Sequence, residues 1–172
     1  MGVTIHFEGR LRDGAAMADL LQFARRFASE RGWTTKEINE ANVTLARVDE
    51  NEKDCDYTGP VSGLELFPGN DCEPIKLEFD STLYVQEWTK TQFAGAGVHV
   101  RVCDFLQAIE QYFETFEVND EAEYWETGDV ELLKNHLANC DRVIEELRQE
   151  RPTAKVKVKQ SDGRIVDIIT FK

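Results

Sequence analysis

The sequence contains no run of 18 apolar residues, so no segment of it can span a bilayer as a helix. Its first residues, Met1-Gly2-Val3-Thr4-Ile5-His6, lack the basic stretch followed by an apolar block that makes a secretory signal. His6 stands where a myristoylation signal carries Ser or Thr. A cytoplasmic location is expected. Basic residues are scarce, with 20 Lys and Arg against 33 Asp and Glu and a formal net charge of -13. A field of that sign repels a phosphate backbone, which excludes nucleic acid as the expected partner. There are only 4 cysteines, Cys55, Cys72, Cys103 and Cys140, and none makes a Cys-x-x-Cys pair. Free thiols in a reducing compartment are expected, with no metal centre and no cofactor. The 3 histidines are far apart, and Gly-x-Ser-x-Gly and His-Glu-x-x-His are both absent. No linker rich in Pro, Gly or Ser interrupts the chain and no repeat divides it, so residues 1–172 are expected to form one domain, with 1–96 and 97–172 as the alternative subdomains.

What is present is a mixture of two periodicities. Val3, Ile5 and Phe7 alternate with polar residues and predict an opening strand. Asp13 can cap a helix over 14–31, with Met17, Leu20, Ala24 and Phe27 on its buried stripe. Gly32 suits the left-handed position beyond its end, and Trp33 can fold back onto Phe27. Thr34-Thr35-Lys36-Glu37 has the form of a capping box and predicts a short helical turn. Val43–Val48 reads as a strand and the charged stretch 49–56 as a solvated loop. Residues 57–67 and 75–79 read as paired strands, and Leu83–Thr89 as a strand returning across Asp80-Ser81. Apolar spacings of four and three from Val98 through Tyr112 to Phe116 predict a second helix over about 98–115, although Val98–Val102 also alternates like a strand. Phe116-Glu117-Val118 can form a short strand. A third helix should start near Thr127 or Asp129 and stop before Pro152. The last 19 residues form a hairpin, expected in the register that sets Val158 opposite Val166, Val156 opposite Ile168 and Lys157 against Asp167. The order β-α-β-β-β-β-α-(β)-α-β-β implies an α+β fold: a mainly antiparallel sheet of six or seven strands with three main helices.

Four groups of residues could carry function. His6 and Glu8 share the outer face of the first strand, and Tyr84, Gln86 and Trp88 share one face of a later one. Were those strands neighbours, they would form a mixed aromatic and polar ligand face. The stretch from Lys90 to Gly97 leads into the second helix, where Gly95 and Gly97 with Lys90, His99 and Arg101 could hold an anion. It lacks the third glycine of a dinucleotide loop and the Gly-Lys-Ser/Thr of a phosphate loop. His136 and Cys140 stand four apart on one helix face, with no further ligand nearby to complete a zinc set. Finally, residues 114–131 hold eight carboxylates, and Tyr124 and Trp125 sit among them.

Charge is also unevenly divided, about -17 over residues 1–147 and +4 over 148–172. The functional expectation is an acidic, non-catalytic binding module that docks a basic protein partner through Glu117, Glu121, Glu123, Tyr124, Trp125 and Glu126. One alternative is an enzyme or small-ligand protein working at the sheet face or at Gly95–Gly97. The other is a self-assembling protein whose basic hairpin meets the acidic body of a second copy in a homodimer.

Overall fold

The computed structural model describes residues 2–170. Its elements in order are β1 (Thr4–Leu11), α1 (Gly14–Glu30), β2 (Thr34–Leu45), β3 (Tyr57–Phe67), β4 (Ile75–Phe79) and β5 (Tyr84–Lys90), followed by α2 (Ala96–Ile109), β6 (Phe113–Asp120), α3 (Tyr124–Thr127), α4 (Val130–Glu150), β7 (Lys155–Lys159) and β8 (Ile165–Ile169). The fold is α+β, and the described strands form three antiparallel sheets ordered β5-β1-β6, β2-β3-β4 and β7-β8. No helix among the described residues is long and apolar enough to cross a membrane.

The main core lies between these sheets and α1 and α2. Ile5 and Phe7 of β1, Leu20 and Phe27 of α1, Leu64 and Leu77 of β3 and β4, and Phe105 and Ile109 of α2 all pack in one cluster. Asp13 caps α1 by accepting from the Ala16 amide, Gly32 is left-handed at φ 68°, and Trp33 returns onto Phe27 with ring centroids 5.5 Å apart. Asp129 caps α4 by accepting from Glu131 and Leu132. A second, smaller cluster joins Val3, Ala122, Leu133 and Leu137, so the N-terminal half of α4 is the half that packs most deeply.

Five expectations are corrected. Thr34–Glu37 opens a twelve-residue strand instead of a helical turn, because Thr34–Glu37 pair across the sheet with Phe67–Leu64 and ladder bonds outweigh a local cap. The second helix ends at Ile109; a 3-10 turn over Glu110–Tyr112 follows, and Phe113–Asp120 pairs along β1. The apolar spacing that looked helical through Phe116 thus spans a helix, a turn and a strand, and the short strand expected at 116–118 is eight residues long. β5 pairs along its length with β1 and not with β4. The backbone bonds between the β4 and β5 segments lie at the two ends, Asp80 N to Tyr84 O and Glu73 N to Lys90 O, each 3.0 Å. The sheet expected to be continuous is therefore divided there. In the C-terminal hairpin Val158 does face Val166 and Val156 faces Ile168, and Gly163 is left-handed at φ 87°. Lys157, however, reaches Asp71 while Asp167 pairs with Lys90, because β7 and β8 lie against the body and its charges capture both side chains.

Candidate functional site

Alternation along β1 sends Ile5 and Phe7 into the core and leaves His6, Glu8 and Arg10 outside. The registers of β5 and β6 then set a grid on the outer face. Gln86, Glu8 and Glu117 form one row across β5, β1 and β6, and Trp88, His6 and Asn119 form the next. Tyr84 opposes Arg10, and its hydroxyl donates a very short hydrogen bond to Glu8, which also accepts from the Gln86 amide at 3.0 Å. Burial and the Glu8 carboxylate push the Tyr84 phenol up to about 12, so it stays protonated and remains a donor.

One wall of this face is the segment that follows β2. Val48 donates to the Gln86 side-chain oxygen at 3.0 Å and accepts from the Gln86 amide at 2.9 Å, so a side-chain amide takes the place of a neighbouring strand. Beside it, Arg47 is buried in an ion pair with Asp80 at 2.5 Å and also donates to the Tyr84 carbonyl at 3.3 Å. Burial pushes the Asp80 carboxyl up, but hydrogen bonds from Arg47, Thr82 and Tyr84 outweigh it and hold the group below the usual range. Wall and floor enclose a cleft of about 690 Å³ lined by His6, Glu8, Val48, Asp54, Trp88 and Glu117 among others. Glu126 also reaches it from α3. Trp88 is 40% exposed, the most exposed aromatic of the core-forming strands.

A second hollow of about 840 Å³ adjoins the first, sharing His6, Ala46, Glu87 and Trp88, and is closed by the C-terminal hairpin. Arg164 donates to Glu87 at 2.6 Å, to Glu73 at 3.3 Å and to the Trp88 carbonyl at 2.6 Å. Its guanidinium carbon lies 4.0 Å from the centroid of the Trp88 ring. Lys90 pairs with Asp167 at 2.8 Å, and Lys159 donates to the Asn70 carbonyl at 3.3 Å. Arg164 of the basic hairpin is therefore neutralised by acids of the body, while Asp167 of the hairpin neutralises Lys90 of the body.

The structure merges two sets of residues that the sequence kept apart. Glu117 and Glu126 of the acidic segment line the same cleft as His6, Glu8 and Trp88. Glu121 sits at the edge of that face, 3.5 Å from His6, and accepts from the Thr4 amide. Glu123 pairs with His136 at 3.0 Å. Tyr124 and Trp125 are half-buried against the core. The anion set is not assembled as a unit: Lys90 is held by Asp167, His99 is fully buried, and Arg101 is exposed on α2.

His99 belongs instead to a buried relay. Its Nδ1 lies 2.7 Å from the Thr91 hydroxyl and its Nε2 2.9 Å from Asp120. Asp120 also accepts from the amides of Ala122, Tyr124 and Trp125. Burial raises the Asp120 carboxyl, but His99 and the amides overcome it and hold it below the usual range. Cys103 completes a His-Cys-Asp group whose ligand atoms lie within 4.8 Å of one another. The group does not fit an ion: Asp120 already has a protein donor on both oxygens, and burial, then Asp120, raises the Cys103 thiol far above its ordinary value. Its role is to clamp the 120–125 turn onto α2. The signal for it was the four-residue spacing of His99 and Cys103, the same as that of His136 and Cys140 on α4.

No protein-family model, no curated protein and no solved structure matches the chain.

Proposed function

We propose that the protein is a non-catalytic binding module that docks a basic segment of a partner protein in the cleft on the outer face of β5-β1-β6. The observation that carries this reading is the direct opposition of Glu8 and Glu117 across β1 and β6, with no cation among the described residues paired to either. Like charges opposed across a sheet destabilise it. A cation entering between them removes that repulsion, so its binding is favoured twice over, by attraction and by relief. Glu126 and Asp54 extend the negative lining. Among the described residues, no three surface carboxylates or histidines bring ligand atoms within 4.8 Å of one another. Spread acceptors of this kind suit the separated charges of a peptide better than one ion. The net charge of -13 adds long-range steering.

The test uses an octalysine peptide and amide chemical shifts. Shifts should concentrate at His6, Glu8, Trp88, Glu117 and Asn119, and the double substitution Glu8→Gln, Glu117→Gln should weaken binding by about tenfold or more. Shifts spread evenly over α1 and α4 would overturn the proposal.

A second reading places a small polyamine in the same cleft, and the volume of about 690 Å³ favours it. Spermidine that binds more tightly than octalysine, at the same residues, would select this reading over the first.

A further inference from the structure

Trp88 stands at the boundary of the two hollows and lines both, whereas Arg164 lines the second alone. One face of the indole is covered by the Arg164 guanidinium at 4.0 Å, and 40% of the residue remains exposed. The chain thus already seats one guanidinium on this ring, with carboxylates of Glu87 and Glu73 accepting from its nitrogens. The first hollow presents the same combination with no cation on the ring: the open side of Trp88, and Glu8 and Glu117 one row away on the grid, while Arg47, which also lines the hollow, is held by Asp80.

We infer that the cleft is selective for arginine over lysine: an arginine side chain of the partner stacks on the open face of Trp88 and is held by Glu8 and Glu117. This rests on the docking role proposed above and names the chemistry of its central contact. Three properties separate the two cations here. A guanidinium is planar and can lie flat on an indole, whereas an ammonium is a strongly hydrated point charge. A guanidinium fork donates in two directions in its own plane, which suits carboxylates on neighbouring strands. It also sheds water more readily on entering a half-enclosed site. Arg164 displays the first two at the adjoining position.

The experiment compares octa-arginine with octalysine by calorimetry at one ionic strength. The arginine peptide should bind about tenfold more tightly, the scale of a stacked cation on an indole. Trp88→Leu should collapse the ratio of the two affinities to near one. Trp88→Phe, which retains a ring face and the packing beneath Arg164, should keep the ratio well above one. Equal binding of the two peptides by the unaltered protein would overturn arginine selection and leave the acidic docking role standing. So would a ratio that survives Trp88→Leu. Failure of both peptides to bind would overturn the docking role with it.

Discussion

Glu87 is a buried carboxyl whose charge state ties stability to pH. It lies against Glu78 and Arg164, and burial, opposed by Arg164 and reinforced by Glu78, pushes its carboxyl from 4.5 up to about 7. Between those values the folded protein holds a proton that the unfolded chain has released. Stability therefore falls as pH rises through that range. Glu87→Gln should flatten that slope, as read from urea midpoints at pH 5 and pH 8. Asp80 and Asp120 act in the opposite sense. Their carboxyls are held low, so the stability they contribute is present above about pH 4 and is lost as pH falls further. The outward faces of His6, Glu8, Tyr84 and Trp88 were legible in the sequence, because period-two alternation assigns a face to each residue of a strand. That β1 and β5 are neighbours was not, because strand order depends on contacts about 80 residues apart in the chain. His99 was misjudged for a related reason: its partners Thr91 and Asp120 come from β5's end and β6's end, and no local pattern links them.

Among the elements, β3 depends most on a single small residue. Gly63 lies opposite Glu78 with φ 150°, and a Cβ there would meet the Leu77 carbonyl oxygen at 1.7 Å. Gly63→Ala should cost about 3 kcal/mol or prevent folding, measured by the midpoint of thermal unfolding. Elements with local signals were legible to within a residue or two: α1 through Asp13 and Gly32, α4 through Asp129, and the C-terminal hairpin through Gly163. The stretch from Val98 to Phe116 was not, because its spacing satisfies a helix while β1 offers Phe113–Asp120 a full ladder. That error concealed the site as well. A strand of 116–118 would have carried Glu117 but not Asn119 onto the grid with Glu8 and His6.

For the molecule as a whole, the separation of charge along the sequence becomes a contact between two parts of one chain. The hairpin of β7 and β8 is fastened by Arg164 to Glu73 and Glu87, by Lys157 to Asp71 and by Asp167 to Lys90, and Ile165 is its deeply buried side chain. Arg164→Gln leaves two buried carboxyl groups, Glu73 and Glu87, without their guanidinium. It should lower the local stability of the hairpin by about 2 kcal/mol, read as faster amide exchange at Val156, Val158, Val166 and Ile168 with Phe105 and Leu106 unchanged. The interrupted pairing between β4 and β5 has a different consequence. The floor of the cleft belongs to the sheet β5-β1-β6, and its wall continues from β2 in the other. The two sheets meet along this border as two pages meet at a spine, with backbone bonds at its ends. The latch between Val48 and Gln86 sets the resting angle. The width of the cleft is therefore fixed by the angle between two sheets and by one side-chain amide, not by the ladder of either sheet.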